Sequence, residues 1–169
     1  MRISDPTPAG PFALAAAALL SLGLAGTASA NAADEGNYDW SAKLVSYDEA
    51  TNTAVVQARV ESYVEIEGLD EFSEGDRLVL SWTGRSWAAG IRGLARDPEL
   101  TPSTLSLPVE FVSTELDGRY IDFRIPVPES ASEIIADMEA GTRVTGTSPR
   151  RATDWATSVI SLRHYNDVG

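Results

Sequence analysis

The chain has 169 residues, with 13 Lys plus Arg, 25 Asp plus Glu, one His and no Cys, so its formal charge is −12 while 43% of it is apolar. That length and apolar fraction suffice for one ordinary core, which excludes a disordered tail; the lack of thiols excludes disulfide staples and Cys-held zinc or iron–sulfur centres. A strongly negative field argues against a nucleic-acid partner, because a phosphate backbone would be repelled.

Residues 1–30 read as an export signal. Arg2 gives a weak positive start, Phe12 to Leu20 is unbroken apolar sequence, and Ala28-Ser29-Ala30 has the small-x-small pattern that signal peptidase accepts. Cleavage is expected before Asn31, leaving an N-terminal segment 31–41 and a single β domain over 42–165. The missing Cys excludes a lipid-anchored lipoprotein, and no later stretch is long and apolar enough to span a bilayer. The expected address is periplasmic or secreted. An uncleaved anchor is the alternative, weakened by the shortness of the run and by the Gly and Ser that dilute it.

The first strand is expected at 42–47 and the second at 53–60, joined by the turn Asp48-Glu49-Ala50-Thr51-Asn52. Ala54, Val56, Ala58 and Val60 alternate with Val55, Gln57 and Arg59, the period of a strand buried on one face. Gly68-Leu69-Asp70-Glu71-Phe72 has room for one helical turn, and strands at 77–83 and 87–95 complete the unit. After the Pro-containing linker Asp97–Pro102, the order repeats. Strands are expected at 107–114 and 119–127, with Ile121, Phe123, Ile125 and Val127 facing inward. A short helix at 132–139 is capped by Ser130 or Ser132, carries Ile134, Ile135 and Met138 on one face and stops at Gly141. Strands at 143–148 and 155–164 follow.

This recurrence is expected to be an internal duplication, 42–96 and 107–165. At an offset of 66, Gly75 meets Gly141, Arg77 meets Arg143, Phe72 meets Met138 and Arg85 meets Arg151; at 67, Val45 meets Val112 and Val56 meets Phe123; at 68, Trp87 meets Trp155 and Leu94 meets Leu162. The expected fold is all-β with one short helix: a small closed or nearly closed barrel made from two β-β-α-β-β halves. An immunoglobulin-like sandwich is the alternative; the helix and the irregular spacing through 97–106 count against it.

Chemistry is sparse. His164 is the lone imidazole, with no Gly-x-Ser-x-Gly elbow and no His metal motif around it. Asp70, Glu71, Glu74 and Asp76 crowd a turn, but lack the order of a calcium loop and neighbour Arg77, so they read as a solvated acidic turn. Glu110 and Asp122 are expected on the wet face of the second hairpin, the one pair a glycosidase-like mechanism could use. No catalytic residue, metal ligand or cofactor is assigned.

The remaining cluster pairs Arg with Trp at equivalent turns: Trp82, Arg85 and Trp87 in the first unit, Arg150, Arg151 and Trp155 in the second. Arg offers a planar fork and Trp stackable area, both favoured at binding sites; the competing reading makes the tryptophans core residues. Two kinds of partner fit: a cationic protein or peptide drawn by the acidic surface, or a small anionic ligand at the Arg–Trp turns. The expected function is a non-enzymatic binding or interaction module of a bacterial-type cell envelope. The alternatives are a small envelope hydrolase using acidic residues and a structural subunit of an envelope assembly.

Overall fold

Eight strands, β1 Asn37–Asp48, β2 Thr53–Arg59, β3 Arg77–Trp82, β4 Ile91–Ala95, β5 Leu105–Glu115, β6 Tyr120–Pro126, β7 Arg143–Pro149 and β8 Ser161–His164, form one antiparallel sheet in the order β4-β3-β5-β6-β2-β1-β7-β8. The computed structural model describes residues 36–83, 90–97 and 104–165. They lie in the unit Asp34–Gly169; Met1–Ala33, where an export signal is expected, falls outside the described residues.

The alternation in the sequence emerges as burial. Ala54, Val56 and Ala58 of β2 and Ile121, Phe123 and Ile125 of β6 are fully buried, and these two strands pair at the middle of the sheet. β1 begins earlier than expected: Tyr38 and Trp40 continue the inward period of Ala42 and Leu44, so 37–41 belongs to the core rather than to an N-terminal segment. The helix is short, Ser132–Ala136, preceded by a 3-10 turn at Glu129–Ala131. Neither Ser130 nor Ser132 caps it; its N-cap is Ala131, and Ser132 Oγ donates to the Glu129 carbonyl. Ile135 is buried and Met138 packs on the core, but Ile134 turns outward. The first half makes only the 3-10 turn Leu69–Glu71, as its flanking glycine requires.

Closure into a barrel is not made. β4 and β8 stand at opposite ends of the open sheet, and among the described residues no ladder joins them. Nor are there two sheets, as a sandwich needs. The single sheet instead folds onto its own inner face: Trp40 of β1 stacks on Trp82 of β3, four places away in the order, with ring centroids 5.5 Å apart, and Phe123 meets Trp82 edge-on at 6.0 Å. Trp40 Nε1 donates to Ser148 Oγ at 2.9 Å, which satisfies the polar atom of a fully buried indole. Isolated parallel bridges, Val60 with Ile91 and Ser106 with Arg151, tie strand ends together.

The topology is symmetric in a way that spacing alone does not show. Replacing each of β1–β4 by the strand four later, and the reverse, turns the sheet order into its own mirror image. β3 pairs with β5 and β7 with β1, so each half lays its third strand against the other half's first. Hydrogen bonds match as well. Phe111 N donates to Asp76 O and Leu44 N to Thr142 O, both at 2.8 Å; Gly75 N donates to Phe111 O and Gly141 N to Leu44 O. Gly75 and Gly141 hold φ of 93° and 89°, backbone that side chains rarely adopt. Both first strands break register once, between Leu44 and Ser46 in β1 and between Phe111 and Ser113 in β5.

Candidate functional site

The six residues of the Arg–Trp cluster do not gather on one surface. Trp82 is 1% exposed and stands among Trp40 and Phe123, so it is a core residue and presents nothing to a ligand. Arg85 and Trp87 lie outside the described residues. Arg150 and Arg151 follow β7, where the backbone at 150–152 binds Ser106: Ser106 N donates to Arg150 O, and Ala152 N donates to Ser106 O. The Arg150 guanidinium lies 5.7 Å from the Tyr38 ring centre. Trp155 does not start a strand. It opens a 3-10 turn, Trp155–Thr157, in which Ala156 N and the Thr157 hydroxyl donate to the Asp154 carboxylate.

Trp155 does meet an arginine, though not the expected one. The Arg77 guanidinium stacks 4.1 Å from the Trp155 ring centre, and the indole N–H donates to Arg124 O at 3.5 Å. Arg77, Glu110 and Arg124 form a row across β3, β5 and β6. Glu110 is held between Arg77 at 3.3 Å and Arg124, and Arg124 also approaches Glu74 at 3.7 Å. Stacking plus alternating charge fastens the turn after β7 to the outer face of the sheet.

The paired-carboxylate idea meets the same row. Asp122 is only 7% exposed, not on a wet face, and accepts from Gln57 Nε2 at 2.9 Å and Ser113 Oγ at 3.1 Å. The bulge after Phe111 brings Ser113 opposite Asp122 and supplies this donor. Both carboxylates are taken up by neighbouring donors, and neither lines the two concavities at 62–70 and at His164.

The acidic turn is likewise satisfied from within. Asp76 accepts from Ser73 N at 3.1 Å and from Arg96 at 3.0 Å. The Ser73 N–H bond, helped by Arg96, holds its carboxyl below the usual carboxylate range. Asp48 is lowered similarly by the Thr51 hydroxyl and the Ala50 N–H. No group of three or more His, Asp or Glu able to hold a metal occurs among the described residues.

Two concavities remain. The larger, about 930 Å³, lies between the segment 62–70 and the β5–β6 turn. The segment is an irregular strap, turning at 62–63 and 67–68 before the 3-10 turn: Val64 and Ile66 lie against the core, while Tyr63, Glu65 and Glu67 face out. Tyr63 is fully exposed. Arg59 donates to Ser62 Oγ at 2.8 Å and Arg119 to Ser62 O at 3.4 Å, pinning the start of the strap. Asp70 and Asp117 extend the acidic rim, with Arg119 its sole basic lining residue. The sequence reading passed over this segment because it forms no regular element, although the alternation of Glu65 and Glu67 with Val64 and Ile66 was there to see. The second concavity, about 640 Å³, holds His164 at the end of β8 with Ile134, Asp137, Met138, Glu139 and Thr142. Among the described residues no helix is long and apolar enough to cross a membrane.

No protein-family model matches the chain, and no significant match appears among curated proteins or solved structures.

Proposed function

We propose that the chain is an exported, non-enzymatic binding module whose partner is a cationic protein or peptide. The observation that carries this reading is the strap at 62–70: an exposed aromatic ring beside outward carboxylates over a large concavity, in a chain of net charge −12. A basic residue placed there meets carboxylate on several sides, and the Tyr63 ring offers it a face. Long-range attraction speeds the encounter; the strap supplies the contact. The recurrence of spacing, bulges and hydrogen bonds supports descent of both halves from one ββαββ unit, with the acidic strap specific to the first.

The test is titration with a lysine-rich peptide followed by amide chemical shifts. Shifts should localise to 62–70 and 114–119, weaken with salt, and fall about fivefold in affinity for Glu65→Gln/Glu67→Gln. Binding unaffected by that pair, or spread over the whole surface, overturns the assignment. Export is tested separately: the mature N-terminus should be Asn31. A second reading, a structural subunit, draws on the sheet's having two end strands, β4 and β8, of which β8 is the candidate to pair with a strand of another chain, since β4 is bridged at Ile91 by Val60. Sedimentation showing higher assemblies would favour it.

A further inference from the structure

The two halves carry the same corner, filled differently. In the first half Arg96, just past β4, reaches back over the turn before β3: its guanidinium pairs with Asp76 at 3.0 Å and lies 5.7 Å from the Phe72 ring centre. The offsets that align the halves place Met138 at the position of Phe72, Thr142 at that of Asp76 and His164 at that of Arg96. The pairing agrees, since Leu80 faces Leu94 where Gly146 faces Leu162. The turn itself is the same: Asp76 N donates to Ser73 O at 3.0 Å, and Thr142 N to Glu139 O at 3.1 Å.

Among the described residues of the second half, nothing equivalent to the Arg96 side chain reaches in. A shorter imidazole stands in its place, and the concavity of about 640 Å³ lies open there. Its walls retain what received the guanidinium in the first half. Asp137 and Glu139 provide carboxylate from neighbouring positions, replacing Asp76, while Met138 and the 48%-exposed Ile134 provide an apolar wall in place of Phe72. Thioether and aliphatic surface suit the stem and flat face of an arginine, and a carboxylate suits its planar fork.

We infer that this concavity receives the guanidinium group of an arginine side chain offered by a partner polypeptide, in the place that the first half fills with its own Arg96. The site is separate from the 62–70 strap and stands on different residues, so either can fail without the other.

The probe is Nα-acetyl-argininamide, followed by the methyl resonances of Met138 and Ile134 in the full chain, with the citrulline and lysine analogues in parallel. Saturable shifts at both methyls are expected with arginine, and much smaller ones with the isosteric, uncharged citrulline. Asp137→Asn/Glu139→Gln should weaken binding about fivefold, the scale of exposed ion pairs. Thr142→Asp/His164→Arg rebuilds the first half's intramolecular pair and should abolish the shifts while the chain stays folded by far-UV dichroism. No saturable shift, an equal response to citrulline or to lysine, or full binding by the Thr142→Asp/His164→Arg variant would each overturn the inference.

Discussion

Val56 and Phe123 face each other across the central pair of strands, both fully buried, and each occupies the place the other would take if the halves were exchanged. They mark the pseudo-twofold centre of the molecule. Ala54 faces Ile125 on one side and Ala58 faces Ile121 on the other, so small residues of β2 lie against large ones of β6.

Truncation at this centre should be costly. Phe123→Ala is expected to destabilise by about 3–5 kcal/mol and Val56→Ala by about 1–3 kcal/mol, from lost burial and the cavity left behind. Because the residues touch, the double variant should depart from additivity by at least about 0.5 kcal/mol. Urea denaturation of the four proteins checks both statements; wild-type midpoints would refute the inward register.

Trp40 and Gly146 fill, at one of the two seams between the halves, the place that Leu107 and Leu80 fill at the other. A Cβ at Gly146 would overlap the Trp40 indole. Gly146→Ala should therefore destabilise by about 1–3 kcal/mol through overpacking. Gly146→Leu alone should be worse, and Trp40→Leu/Gly146→Leu, which copies the Leu107–Leu80 pairing of the other seam, should recover part of the loss. Thermal melts rank the three; no recovery in the double variant would show that the two places are not interchangeable.

The Trp155 ring and the Arg77 guanidinium should couple by about 0.5–1 kcal/mol in a double-mutant cycle of Arg77→Ala and Trp155→Ala. The coupling should persist in high salt better than the Arg77–Glu110 pair does, since stacking is screened less than an exposed ion pair. Additive losses would mean that the ring and the guanidinium are neighbours without attraction.

Asp76 gives a pH signature. Its carboxyl is held below the ordinary 3.8 chiefly by the Ser73 N–H, so the folded state binds its proton less readily than the unfolded chain. The resulting stabilisation is present above 3.8 and is lost as pH falls through the lowered value. Wild type should thus melt above Asp76→Asn near neutrality, and the gap should narrow as pH falls below 3.8. A gap independent of pH would assign the effect to the hydrogen bond's shape rather than to its charge.

Much of the fold was legible wherever one face of a strand is buried. The periods through Val56 and Phe123 gave correct inward faces, but Gly141 does not stop the helix, which ends at Ala136 with Asp137 as its C-cap; Gly141 holds its positive φ in the turn before β7. The early start of β1 is legible too, in the inward spacing of Tyr38, Trp40, Ala42 and Leu44. Strand partners were not legible. Which strand Arg77 lies beside depends on loops and long-range packing, and local alternation has no term for that. Closure failed for the same reason, because a count of strands says nothing of which ones end the sheet.

The candidate sites divide along similar lines. Trp82 has the composition of a hot spot and the burial of a core anchor, and an isolated sequence cannot separate them. Tyr63 escaped notice because an irregular strap has no period to detect. The corner of His164 could be read only by comparison with Arg96, which requires both halves to be laid over one another first.

The exchange of third strands has a temporal side. A chain emerging from its N-terminus can form the β1–β2 and β3–β4 hairpins, but β3 waits for β5, β2 for β6 and β1 for β7. Until the last quarter of the polypeptide is synthesised, the Trp40 indole lacks both the glycine notch and the serine oxygen it rests on. Such wiring makes assembly late and all-or-none, with a high barrier set by distant partners.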